Sequence, residues 1–455
     1  MPSKSSAGRL DADTIRKYET DYVLYPWVAQ KGLNPVVIDS AKGSYFYDPS
    51  GKKYLDFSSM FVFSNLGHTD PRVVEAICQQ AQKLPTAASP FATEAKARLA
   101  KLLAEVTPGD MKKTFFSTSG AEANEGAIKV ARLATGKEKI IARYRSYHGS
   151  TYGAMTLTND SRNWACEPAI PGVIHCLDPY CYRCPFGLTY PGCDLQCAKH
   201  VEEVIRFEGG AKRVAAFMAE TIVGANGIIV PPDGYWQKIR EICDRYEVLM
   251  MCDEVMVGFG RTGKWFAIEH WGVVPDVMTM AKGISTGYVP LGATTVREKV
   301  ARAFENNMYI HGHTYSGHTL AMAAGVATIE AYKADNLIPR AAEMGEYLMK
   351  KALELKDKHP SVGDVRGKGL FVGLELVKNR RTKEPLHDPF VEGVRPPTAK
   401  MKVLAEAMKQ GVYCLPGMGS VIMLAPPLII TKSEIDFAME VFDKALGIAD
   451  AETEE

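Results

Sequence analysis

Neither sign of charge predominates in this 455-residue chain: 54 lysines and arginines stand against 53 aspartates and glutamates. So even a balance excludes the broad basic surface that nucleic acid or an anionic membrane requires, so ligands have to be recognised locally, in a site. Long apolar runs are missing too. The nearest candidate, "AFMAETIVGANGIIVPP", is short and interrupted by Glu220, Asn226 and glycines, and no segment reads as a membrane span. The opening residues "MPSKSSAGRLDADTIRKYETDY" are polar where a secretory leader needs an apolar core, so the expected location is cytoplasmic. Internal repeats and low-complexity tracts are absent, and "ADAETEE" reads as a solvated acidic end. What remains is the composition of an ordinary globular protein, long enough for about two or three domains or one large core with appended pieces.

Cysteine is not in short supply. Five of the ten, Cys176, Cys181, Cys184, Cys193 and Cys197, crowd into "HCLDPYCYRCPFGLTYPGCDLQCAKH" between His175 and His200. The Cys-x2-Cys and Cys-x3-Cys pairs can give zinc four thiolates, can form disulfides, or can stay free in a reducing compartment. On any of these readings the segment is a compact insertion remote from the chemistry.

The apolar rhythm divides the chain. "YFYDPSGKKYLDF" reads as a hairpin around an Asp-Pro-Ser-Gly turn, and "RVVEAICQQAQKL" and "TEAKARLAKLLAEV" as helices. From about residue 113, β-rich runs ("KTFFSTSG", "KIIARYRS", "VAAFMAE", "VLMMCDEV", "DVMTMAKG") alternate with helical ones ("AEANEGAIKVARLAT", "WQKIREICDRYE"), which predicts a mainly parallel sheet covered on both faces. Beyond about residue 330 helices dominate, with a strand pair in "GDVRGKGLFVGLELV" and "VIMLAPPLII". The expected division is a large α/β domain over 71–330, with the Cys-rich insertion near 175–200, and a smaller α+β domain built from 1–70 and 331–455.

Ligands of open α/β sheets bind beyond the carboxyl ends of the strands, and the chemically loaded residues fall there. In "FFSTSGAEANEGAIKVARLA" a strand turns through Thr118, Ser119 and Gly120 into a helix, whose free N–H groups and nearby hydroxyls make an anion cradle; a plain helix cap is the alternative. "VLMMCDEV" ends in Asp253, a carboxylate suited to a cation or protonated nitrogen, with Val255 beside that partner if the strand continues. Tyr147 and His148 close "KIIARYRSYH", where an aromatic ring can cover a flat ligand. Lys282 ends "DVMTMAK" among small and apolar neighbours, and a desolvated lysine is a nucleophile toward carbonyls. Together these describe a pocket for pyridoxal 5′-phosphate, with Lys282 as its Schiff-base partner and Asp253 at the pyridine nitrogen.

"DEVMVGFGRTG" followed by "DVMTMAKGISTGYVPLGA" resembles the class III pyridoxal phosphate aminotransferases, as do "STSGAEANEGAIKVAR", "YHGST", "AETIVGANGIIVPPDGY" and "HTYSGHTLAMAAG" in order. The resemblance implies fold type I, with a mainly parallel seven-stranded sheet in the large domain. It implies Lys282, Asp253 and Tyr147 as the catalytic set, Tyr147 stacked on one face of the ring and Val255 on the other. It implies Ser119, Gly120 and Ala121 at the phosphate, His148 and Glu220 near the ring, and Thr314 reaching the phosphate of a neighbouring subunit in a homodimer or dimer of dimers. The substrates implied are an amino donor and a keto acid. Two departures stand out. Met256 replaces a frequent glutamine, which resembles the ω-amino acid:pyruvate branch. Pro416 stands where several pyruvate-dependent members have an arginine for the acceptor, and no basic residue lies from Tyr413 to Leu428. Trp27, Met60, Phe61 and Tyr152 read either as pocket walls or as core.

Overall fold

The computed structural model describes residues 10–388 and 398–454. Seven strands form the central sheet: β1 (Met111–Ser117), β2 (Lys139–Arg143), β3 (Val173–Cys176), β4 (Val214–Glu220), β5 (Leu249–Asp253), β6 (Val277–Met280) and β7 (Gly292–Arg297). Their order across the sheet is β1-β7-β6-β5-β4-β2-β3. Every neighbouring pair is parallel except those of β7, which runs antiparallel to both β1 and β6. All seven residues of β4 are buried, as expected of a strand covered on both faces. Phe217 and Met218, both fully buried, each contribute about 2 kcal/mol over an exposed side chain.

Five of the seven strands coincide with the runs predicted from sequence. β3 escapes because it is only four residues long and three of them are half-buried, which leaves little pattern. β7 escapes for a topological reason. It follows β6 through a loop with only a single short 3-10 turn, so strand–helix alternation does not find it. The segment "GDVRGKGLFVGLELV" is a hairpin by itself, Val362–Lys368 against Phe371–Asn379, and Val421–Leu424 adds to its second strand. The hairpin around Asp48 forms as expected, with Oδ1 of Asp48 accepting from the N–H groups of Ser50 and Lys52. Its second strand, Lys53–Asp56, pairs in parallel with Val412–Tyr413, joining the early chain to its last fifth.

The cysteine-rich segment is not wholly an insertion, since His175 and Cys176 belong to β3, at the edge of the central sheet. All ten cysteines are free thiols, and burial pushes those of Cys176 and Cys197 up to about 12. Among the described residues no group of three or more histidine, cysteine or acidic side chains is arranged to hold a metal. No helix there is long and apolar enough to cross a membrane.

One buried cation ties these pieces together. Arg261 is fully buried, and its guanidinium donates to the carbonyls of Leu370 (3.1 Å) and Pro426, to Ser59 Oγ (3.0 Å) and to Asn65 Oδ1 (2.6 Å). Burial lowers its pKa to about 10, so it stays charged, solvated by four neutral oxygens. Arg261→Leu would strip those acceptors of their donor. The expected cost is about 3–5 kcal/mol, seen as a lower midpoint in chemical denaturation; a midpoint within experimental error of the wild type would contradict it.

Candidate active site

The register of the sheet builds the site. Glu220 of β4 lies opposite Asp253 of β5, and Asp253 lies opposite Thr279 of β6, so two carboxylates stand side by side at the carboxyl edge. Like charges so close raise each other's cost of ionisation, and burial adds to it. Glu220 shows the result, its carboxyl raised above the usual range by burial and by Asp253, against the counter-pull of His148. Its two oxygens accept from the N–H groups of Tyr147 (2.9 Å) and Gly224 (2.7 Å).

Asp253 is held from three sides. Oδ2 pairs with Nδ1 of His148 (2.7 Å) and accepts from Nδ2 of Asn124 (2.8 Å), while Oδ1 accepts from the N–H of Val255 (2.9 Å). The expected continuation of the strand does not occur. β5 stops at Asp253 and the chain turns, so Val255 reaches the site through a turn. Nε2 of His148 and Oδ1 of Asn124 are buried without a hydrogen-bond partner. Orphaned polar atoms are costly in a closed core and mark a place built for a polar group.

Asn124 comes from helix α1 (Gly120–Thr135), which Ser119 caps through Glu122 N–H and Gly136, at φ +69°, terminates. At Gly120 a side chain is excluded: a Cβ there would lie 2.7 Å from Cγ1 of Val255. The start of α1 therefore packs directly on the residue beside Asp253. Thr118 departs from the sequence expectation. Its N–H and hydroxyl both donate to Oε2 of Glu122 (2.7 Å each), so both of its donors are already used within the chain.

Lys282 follows β6 with φ +48°, a left-handed conformation uncommon outside glycine and worth about 1–3 kcal/mol of strain. The turn is fixed by the Tyr332 hydroxyl, which donates to Gly283 O at 2.6 Å. Burial pushes the Lys282 ammonium down to about 8, against the pull of the Asp253 and Glu220 carboxylates and with help from Arg261 and Arg162. An amine so poised is a ready nucleophile near neutral pH.

Over these groups, Tyr147 donates to or accepts from Ser150 Oγ (3.0 Å), Trp27 meets its ring edge-on at 6.5 Å, and the Arg162 guanidinium lies 4.1 Å from its centre. Met256 packs on Gly224, where a Cβ would come within 2.1 Å of its sulfur. Trp27, Phe61 and Tyr152 are exposed and Met60 is half-buried, so none of the four is core. Ser59, Met60 and Val62 all have positive φ, and both oxygens of Asp56 pin Met60 N–H (2.8 and 2.9 Å). Thr314 is exposed on the chain's surface. At Pro416 the backbone forms a short strand whose loop is anchored by Met418 N–H to Ala225 O (2.7 Å) and by Lys400, which donates to Gly417 O (2.5 Å) and Gly419 O.

Asn124, Arg162 and Arg261 were not picked out from the sequence. Asn124 had a signal, a lone amide among the small residues of "GAEANEGA" at helical spacing from Gly120; the arginines had none.

The sequence profile of the class-III aminotransferases matches residues 28–446. The taurine:2-oxoglutarate aminotransferase of Bifidobacterium kashiwanohense, solved with pyridoxal phosphate and glutamate, is 40% identical, superposes with a TM-score of 0.93, and covers 98% of this chain and 99% of its own. The putrescine–pyruvate aminotransferase of Pseudomonas aeruginosa is 36% identical, with 94% of each chain covered. A leucine/methionine racemase of Thermococcus litoralis is 37% identical over the same share of both chains. The chain belongs to the class-III aminotransferases, enzymes that work with pyridoxal phosphate on a fold of type I.

Proposed function

We propose that the protein moves an amino group from an ω-amino acid or amine to a keto acid, pyruvate first among them, in two half-reactions at one site. The observation that carries this is the meeting of Lys282, Asp253 and Glu220 at three neighbouring strand ends. The residues fit the cofactor: the orphaned Nε2 of His148 and Oδ1 of Asn124, and the side-chain-free approach at Gly120, leave a polar place bounded by the start of α1. When bound, pyridoxal phosphate supplies an aldehyde for amines and a ring that withdraws electrons from the adjoining carbon. Lys282 would hold the cofactor covalently and, with its amine free, would serve as the base that moves a proton at the donor carbon. Asp253, fixed by His148 and Asn124, holds the proton on the ring nitrogen. Tyr147 and Val255 would hold the ring between them, and the N–H groups at Ser119, Gly120 and Ala121 would receive the phosphate. The exposed Thr314 completes the phosphate site of a second subunit, so the working unit is a homodimer.

Sheet membership supports a large domain over 71–330 and a small one from 1–70 and 331–455, because the early strands pair with Val412–Tyr413. The free thiols suit a reducing, cytoplasmic setting.

The racemase relative supports a second reading, amino-acid racemisation on the same residues. Initial velocities separate the two. With an amine donor and pyruvate or 2-oxoglutarate varied together, amino transfer gives parallel double-reciprocal lines and no turnover without a keto acid. Turnover of one amino acid alone, with loss of its optical rotation, would favour racemisation.

A further inference from the structure

Amino transfer to a keto acid needs a cation at the site, because the acceptor always carries a carboxylate and an ω-amino acid or aminosulfonate donor carries a second anionic end. The loop from Tyr413 to Leu428 offers none. Two guanidinium groups act on the Lys282 amine, those of Arg261 and Arg162. Arg261 is fully buried and committed to four protein oxygens. Arg162 is placed differently. Its side chain is 13% exposed and its guanidinium lies over the Tyr147 ring, 4.1 Å from the centre, a ring that Trp27 also meets edge-on. One edge is spent on Asp160: Nε donates to Oδ1 (3.0 Å) and Oδ2 (3.1 Å), and Nη2 to Oδ2. Asp160 is itself buried, fixed by Asn226 Nδ2 (2.9 Å) and by Arg162 N–H (2.9 Å). Among the described residues nothing is hydrogen-bonded to Nη1. The guanidinium is thus oriented by one carboxylate while its Nη1 edge is left over, an arrangement suited to a second oxyanion.

We propose that Arg162 receives the anionic end of the substrate, a carboxylate or a sulfonate, with Asp160 and the Tyr147 ring holding it in position. The assignment rests on the amino-transfer reading above.

The test compares Arg162→Gln and Arg162→Lys with the wild-type holoenzyme. The half-reactions of β-alanine, taurine and benzylamine are followed by cofactor absorbance without an acceptor, and the affinities for propionate and propane-1-sulfonate are measured by calorimetry. For Arg162→Gln, efficiency with the two acidic donors is expected to fall about 30- to 100-fold, and affinity for at least one of the unreactive acids about tenfold. Benzylamine, which has no acid group, is expected to lose less than about threefold, and lysine to restore part of the loss. Which acid loses affinity identifies the anion the site takes. Equal losses with all three donors, or unchanged affinity for both acids, would overturn the proposal. If the wild type moves no amino group from any donor, the amino-transfer reading fails, and the calorimetry alone decides the role of Arg162.

Discussion

Replacing Lys282 with alanine is expected to cut turnover by about four orders of magnitude or more, while the protein stays folded and still binds pyridoxal phosphate. The size of the effect follows from the two tasks proposed for one amine, covalent anchor and proton carrier. No neighbour can take over either. Arg261 is committed to carbonyl, hydroxyl and amide oxygens, and Arg162 is paired with Asp160. The fold has little reason to suffer, because alanine inherits the same positive φ and the Tyr332 hydroxyl still fixes the turn. The phosphate and ring contacts proposed for α1, Tyr147 and Val255 would remain. The measurements are kcat with the best donor, cofactor content after gel filtration, and peptide mapping after borohydride reduction. The wild type should carry the cofactor on the peptide of residue 282, and the variant should carry none. A variant within tenfold of the wild type would contradict the assignment.

Asp253→Asn is expected to lower kcat by about 10²–10³-fold with a smaller change in KM, because a fixed charge in the place proposed for the ring nitrogen would count mainly when charge develops during reaction. The amide keeps one oxygen for Asn124 Nδ2 or Val255 N–H, and His148 can change tautomer to accept from the new NH2 group. Thermal melting should therefore move by only a few degrees, which separates loss of the charge from loss of the fold. A kcat within about threefold of the wild type would show that Asp253 merely caps the turn that follows it.

Much of the site was legible in the sequence, because chemistry at strand ends leaves a local signature. Asp253 and Lys282 each close a short apolar run, and Ser119–Gly120 opens an obvious helix, so each position declares itself within about ten residues. Contacts made across the sheet are different. The pairing of Glu220 with Asp253 depends on strand register, and nothing in "VAAFMAE" or "VLMMCDE" states which residues come level. Glu122, which takes the N–H and hydroxyl of Thr118, lies only four residues away, yet it reads as an ordinary exposed helix residue until its side chain is seen turning back. Arg162 sits in "TNDSRNW", a stretch without periodicity, and gains its place over Tyr147 through Asp160 and Asn226. Strand β7 was hidden for a related reason: pairing in the opposite direction to its neighbours obeys no helix-spacing rule.

The acceptors of Arg261 come from residues 59 and 65, 370 and 426, so a single side chain from the middle of the polypeptide reads whether both distant portions have arrived. A nascent chain released before residue 426 would carry that guanidinium into a half-built interior with part of its solvation missing. The surroundings of the Lys282 amine, on which Arg261 acts, are thus complete only once residue 426 has been made, and an excised central fragment lacks them.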